Sequence, residues 1–287
     1  MIQTILAFGE AMFPEWRSVL DRDYESDVHR LNQNLKLKGD SLLDPTVPPH
    51  TFVGNIDEMV PGDCILLLGI NPKRNHDEKF QRVNIDLPMS CITKYRETND
   101  LNALQPLWDF QTKYFLLDER NRTYFNKYGD WLGKHWFRDT YDNYEGNKSK
   151  QMVCHKHLVE VDTVQYFSHK TGLNPEILAD LIQTDPALKT HMEMIESIIA
   201  KIQPKWVQVT GKSGWVIIER LFGIGDFVDV NPGEKKGTEI RMGHVKIGER
   251  VMPVLMHKFF GSMAGVNSNV EKELVAGAWK KWLELRI

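Results

Sequence analysis

Cys64-Ile65-Leu66-Leu67-Leu68-Gly69-Ile70-Asn71-Pro72 decides the fold. Five apolar residues in a row follow the turn Pro61-Gly62-Asp63 and stop at Gly69. A short, continuously apolar run bounded by turn residues fits a strand buried on both faces, as in a parallel sheet. Asn71-Pro72 then leaves the strand at its carboxyl end. In open α/β sheets that end is where ligands bind.

Working outward, Leu158 to Phe167 reads as a second strand and Trp206 to Thr210 as a third, the latter breaking at Gly211 into a helix around Val216 to Leu221. A helical block follows Asn174-Pro175 and runs to Gln203-Pro204. Glu239 to Ile247 and Val251 to Met256 alternate and are joined near Gly248-Glu249-Arg250, which suggests a hairpin whose second arm re-enters the sheet. Asn267/Ser268 caps a final helix, and Glu271 completes a capping box with Ser268. Strands alternating with helices predict a three-layer α/β/α sandwich around a mostly parallel central sheet. The expected organisation is a single domain over 1–287. It carries an N-terminal helical extension (1–55), closed by the Pro-rich connector Asp44 to Pro49, and an insertion over 73–150. Twelve aromatics lie between Trp108 and Tyr144 in that insertion, a density that points to a helical core with part of it bordering a site.

Composition limits the classes. With 41% hydrophobic and 10% aromatic residues the chain has material for a real core. No apolar run is long enough to span a membrane, and the start lacks the basic region of a signal peptide. The expectation is therefore a cytoplasmic protein with no membrane partner. Cys64, Cys91 and Cys154 are read as reduced thiols. Cys154-His155-Lys156-His157 lacks a full ligand set, so no metal and no cofactor are expected. The net charge of −3 disfavours a wholly basic surface, yet 232–258 holds six Lys/Arg against three Glu. A local basic rim is enough for an enzyme that must release nucleic acid.

The strand ends gather Asn71, Gln165 to Ser168, Gly211 to Ser213 and His257: an amide, hydroxyls and an imidazole, without paired carboxylates. Ile65 to Pro72, with Gly69-Ile70-Asn71-Pro72 at its end, resembles the first motif of the uracil-DNA glycosylase superfamily, nearest its mismatch-specific uracil and thymine branch. Trp206 to Ser213 resembles that superfamily's late strand and glycine turn, and Val254 to His257 the strand that delivers its second motif. The likeness covers about 64–72 and 157–285.

The resemblance implies a monofunctional DNA glycosylase that hydrolyses the N-glycosidic bond of a flipped base and leaves an abasic site. In that reading Asn71 positions the attacking water and His257 donates a hydrogen bond to the departing base. Gly69, Ile70 and Pro72 shape the loop, Gln165 reads the base edge, Tyr166 or Phe167 stacks on it, and Ser168 stands beside them. DNA contacts would come from Lys212, Ser213, Lys258, Ser262 and Met263, the last as a wedge in the vacated stack. Lys258-Phe259-Phe260 follows His257 where many members have Pro-Ser, and the strand around Val161 lacks the Asn that reads uracil. With the long insertion, this shifts the expected base from uracil or mismatched thymine towards a bulkier pyrimidine, such as the glucosylated hydroxymethylcytosine that phage-defence members excise. DNA is the expected partner and a monomer the expected state. The alternatives are a non-catalytic nucleic-acid sensor on the same fold and an unrelated α/β protein acting on nucleosides.

Overall fold

The computed structural model describes residues 13–117, 122–170, 172–233, 235–260 and 265–286. Ser262 and Met263, and the first twelve residues of the N-terminal extension, lie outside them.

Six strands form one sheet: β1 (Ile65–Gly69), β2 (Leu158–Asp162), β3 (Trp206–Thr210), β4 (Val228–Val230), β5 (Ile240–Ile247) and β6 (Arg250–His257), in the order β2-β1-β3-β6-β5-β4. β2, β1, β3 and β6 run parallel, while β5 and β4 are antiparallel to their neighbours. The apolar run read from the sequence is thus a central strand, paired on both sides. The hairpin is also as read. Gly248-Glu249 turns β5 into β6, and β6 re-enters beside β3. The expected second strand is shorter, because pairing to β1 stops at Asp162. Beyond it residues 163–168 leave the ladder in a series of bends and bond to the loop after β1, with Val164 N donating to Ile70 O at 2.8 Å and Ser168 N to Pro72 O at 3.2 Å. β4 had no counterpart in the sequence reading, since three residues with two exposed give no periodic signal.

Ten helices are named here: α1 (Pro14–Leu20), α2 (Tyr24–Asn34), α3 (Leu87–Thr98), α4 (Gln105–Lys113), α5 (Arg122–His135), α6 (Gly146–His157), α7 (Pro175–Thr184), α8 (Pro186–Ile202), α9 (Lys212–Phe222) and α10 (Asn269–Arg286). The block expected after Asn174 is two helices. Pro186 cannot continue α7 but suits the first turn of α8, where the Asp185 carboxylate accepts from Ala187 N at 2.9 Å. The Ser268–Glu271 capping box forms, with Glu271 N donating to Ser268 Oγ at 3.1 Å and Ser268 N to Glu271 Oε2 at 2.9 Å.

Strand alternation sends each strand's side chains into two separate cores. Leu66, Leu68, Val159, Val161, Val207, Val209, Val254 and Met256 face the first, which α1 to α4 and α7 to α9 cover. Ile65, Leu67, Leu158, Trp206 and Leu255 face the second, under α5, α6 and α10. The result is the three-layer α/β/α sandwich. The aromatic-rich stretch 73–150 divides between the layers: Trp108 packs in the first core, while Phe115, Phe125, Tyr128, Trp131 and Phe137 fill the second. The N-terminal region is part of the first layer, and Val53 pairs antiparallel with Glu160 along the free side of β2.

Candidate functional site

At the carboxyl end of β1 the backbone is held by its neighbours before any side chain acts. Ile70 O accepts from Val164 N and, at 3.0 Å, from Thr163 Oγ1. Buried Pro72 fixes the exit, and its carbonyl accepts from Ser168. Asn71, only 9% exposed, is pinned by its amide nitrogen, which donates to Ser168 Oγ at 2.8 Å. Ser168 Oγ in turn donates to Lys170 O at 2.9 Å, so its lone pairs point at Asn71. Asn71 Oδ1 is buried and has no hydrogen-bond partner in the chain. A buried acceptor aimed by a fixed donor on the same amide is suited to hold a hydroxyl or a water.

On the second-core face, three parallel strands end in polar residues. β2 contributes Glu160 and Asp162, β3 Gln208 and Thr210, and β6 His257. Register sets Asp162 abreast of Gly69 and Thr210 abreast of His257. The Asp162 carboxyl fills the space over Gly69, where a Cβ would sit 1.9 Å from Oδ1. A side chain at position 69 would have to displace the Asp162 carboxyl. Tyr128, Trp131 and Phe260 roof the row, with the Phe260 ring stacked 4.4 Å from His257. Tyr124 lies edge-on to Tyr128 at 5.1 Å. Gln208 Oε1 is buried without a hydrogen bond in the chain, and the Tyr128 hydroxyl lies by the Thr210 and Tyr124 hydroxyls in contacts that fall short of full hydrogen-bond geometry. Their clustering marks a closed polar chamber packed with side chains and shielded from solvent.

Electrostatics set the protons in this chamber. Burial, and then the charge of Glu160, push the Asp162 carboxyl far above the usual carboxylate range. Burial pulls His257 down to about 4, so its ring is neutral. His257 Nδ1 lies 2.6 Å from Lys258 O and must carry the proton to satisfy that carbonyl. Nε2 is then bare and accepts from Gln208 Nε2 at 2.7 Å. The expected donation from His257 to a departing base does not fit this arrangement, since its single proton is already committed. With the His257 proton committed, the protons left in the row are those of the neutral Asp162 carboxyl and of the Thr210 and Tyr128 hydroxyls.

Other expected residues take different places. Gln165 is fully buried on the first-core side, donating to Ala187 O at 3.2 Å. Tyr166 is a core residue, 1% exposed, with its hydroxyl directed at Asp27. Tyr166 presents no face to a base, so its stacking role is corrected: the chain turns it beneath α2. Gln165 keeps its Oε1 buried without a hydrogen bond, on the face of the sheet opposite the Asp162 row. Phe167 packs with Val47 and Phe80 and borders a small cavity with Phe110 and Pro48. Lys212 and Lys258 converge on Glu239, at 3.0 and 3.1 Å, and Ser213 stands half-buried in the first turn of α9. Gly211 adopts φ 81° to turn β3 into that helix. The basic run is largely neutralised in the same way, as Arg241 pairs with Asp229 and Glu219. Cys154, His155 and His157 diverge, His157 lying flat on Phe137 and bonded to Thr140 and Asp63. Among the described residues no three His, Cys, Asp or Glu gather as a metal site.

The sequence reading missed Glu160, Asp162, Gln208, Thr210 and Tyr128. The signal was present for four of them. Glu160/Asp162 and Gln208/Thr210 are polar pairs at i, i+2 inside otherwise apolar strands, which places both pairs on one face.

The fold and this edge define an open α/β/α protein with a polar chamber and a pinned amide at the carboxyl ends of its parallel strands. No protein-family model matches the chain, and no curated protein matches it.

Proposed function

We propose that the chain is a DNA glycosylase that hydrolyses the N-glycosidic bond of a base turned out of the stack, leaving an abasic site. The observation that carries this reading is Asn71: an amide fixed through its nitrogen, with a buried oxygen free to orient one water. An amide cannot take a proton at neutral pH, so the water attacks only after the bond to the base has largely broken. Positive charge then grows on the sugar and negative charge on the base. The neutral Asp162 carboxyl supplies the hydrogen bond to that base, as a pre-placed donor in a water-poor chamber. A carboxylic acid offers one donor and one acceptor side by side, and so pairs with a base edge that does the same. Gln208, oriented by His257, adds an amide oxygen to the same chamber. That combination suits an aminopyrimidine or its substituted forms, whose exocyclic nitrogen donates and whose ring nitrogen accepts.

The test is base release from oligonucleotides carrying uracil, mismatched thymine, cytosine, hydroxymethylcytosine or its glucosylated form, read as alkali-labile strand breaks. Asn71→Ala should lower the rate by about 100-fold or more, as expected when a reacting group loses its positioning. Asn71→Asp should retain most of it, because a carboxylate also orients water. Equal loss in both variants would remove Asn71 from the chemistry.

A further inference from the structure

The proposed reaction needs a nucleic-acid strand held beside the site, and the basic run at 232–258 is largely tied up in ion pairs. A different surface is open. Where α2 ends, a cavity of about 660 Å³ opens between the loop after that helix, the strap around Leu43 and the segment following Ser168. His29, Asn32, Lys36, Lys38, Leu43 and His169 are among its walls. Its place relative to Asn71 is fixed by bonding: Leu43 bridges to Ser168, and Ser168 Oγ holds the Asn71 amide. The next residue, His169, enters the cavity and stacks on His76 at 4.4 Å, with an interplanar angle of 24°. His76 belongs to the loop that begins at Asn71.

Both carboxylates along this path are paired, so the charge left over is positive. Asp40 is bound by Lys170 at 2.6 Å, and Asp44 is paired with Arg74. Among the described residues no ion pair involves Lys36, Lys38 or Lys73, which are exposed. Lys36 also occupies an unusual backbone position. It has φ 54° where α2 stops, with Lys36 N donating to Gln33 O and Leu37 N to Asn32 O. That is the left-handed position of a helix stop, where glycine is the ordinary residue. Lys36 thus carries a backbone strain there that glycine would not.

We infer that this cavity and the His76–His169 pair form the track for the DNA strand flanking the reacting nucleotide, with Lys36 and Lys38 on its phosphates and the stacked imidazoles under a neighbouring base. Lysines along a groove with flat rings interleaved are what a single strand requires. The track rests on the base-excision reading for the direction in which the strand leaves Asn71, but its binding is measured apart from catalysis.

Fluorescence anisotropy with a labelled single-stranded oligodeoxynucleotide, on the Asn71→Ala background and across a salt series, provides the test. Lys36→Glu with Lys38→Glu should weaken binding at least tenfold and flatten the log–log salt slope by about 1.4, the value for two phosphates of a single strand. His76→Ala with His169→Ala should weaken binding roughly tenfold while leaving the slope in place. Lys36→Gly separates recognition from structure. It should raise the melting temperature and still weaken binding, whereas a lysine of purely structural importance would show the first effect alone. Wild-type affinity and slope in the doubly reversed variant would overturn the inference. So would a deoxynucleoside monophosphate that competes as well as the oligonucleotide, since the site would then be one for free nucleotides. If no oligonucleotide loses a base yet these variants still lose affinity, the proposed reaction falls and the track stands. Base release with unaltered affinity in the variants leaves the reaction standing and removes the track.

Discussion

Asp162 and its neighbour Gly69 make pH and packing consequences that belong to single residues. The native carboxyl keeps its proton above the unfolded value of about 3.9, because burial and Glu160 disfavour its charge. Between those two values the native state binds more protons, so stability falls as pH rises, by about 1.4 kcal/mol per unit. Asp162→Asn removes this term. Its stability relative to the parent should therefore climb as pH rises from about 4, in urea titrations at successive pH values; a difference that stays flat would mean the carboxyl ionises freely. His257 and His191 act in the opposite sense. Both are held neutral to about 4, so the native state loses stability as pH falls from about 6.5 towards that value. Gly69→Ala would put a methyl group 1.9 Å from Asp162 Oδ1. Overpacking of that kind costs about 1–3 kcal/mol, and thermal denaturation should show most of it restored in Gly69→Ala/Asp162→Ala.

Elements were legible wherever a local rule sets them. The apolar run of β1, the β5–β6 hairpin and the capping box of α10 each depend on a few adjacent residues, and each was readable from them. The break between α7 and α8 shows the limit. Pro186 was visible, but whether a proline kinks, ends or starts a helix depends on what the preceding side chain finds. Here Asp185 is 4% exposed, caps α8, and also grips Arg30 of α2 at 2.8 Å, 155 positions away in sequence. Asp185→Asn keeps the cap and loses the charge on the pair; Asp185→Ala loses both. Chemical denaturation should find the alanine variant less stable than the asparagine variant by about 1 kcal/mol, the worth of a cap. Equal stabilities would mean that the ion pair to α2, and not the cap, holds the start of α8.

Across the whole molecule the sheet sorts its side chains into two cores, the second of which turns polar at the carboxyl edge through Asp162, Gln208, Thr210 and His257. No described helix is long and apolar enough to cross a membrane, and the apolar helix faces are turned onto the sheet. The polar edge is a cost to the fold. The Tyr128 hydroxyl is buried, its contacts to the Thr210 and Tyr124 hydroxyls falling short of full hydrogen bonds, and an unsatisfied group costs about 1–3 kcal/mol. Tyr128→Phe should leave stability unchanged or raise it. If the chamber holds a polar base, the same variant should lose base-release activity, the usual exchange between stability and function. A variant that gains stability and keeps full activity would make the chamber an accident of packing.

The sequence by itself determined the layer architecture, β1 as a strand buried on both faces and the position of Asn71 at its carboxyl end. Those follow from hydrophobic pattern and turn chemistry, which act over a few residues. It also contained the polar alternation of β2 and β3, although that pattern acquires meaning only when the strands lie side by side. Tertiary structure alone decided which face each strand end presents, that Gln165 and Tyr166 turn into the first core, and that Asp162 comes to lie over Gly69. It also decided the proton on His257, through a contact to Lys258 and a register that brings Gln208 within reach. Burial and hydrogen-bond partners arise from segments far apart in the chain, and no local pattern encodes the dielectric around a carboxyl group.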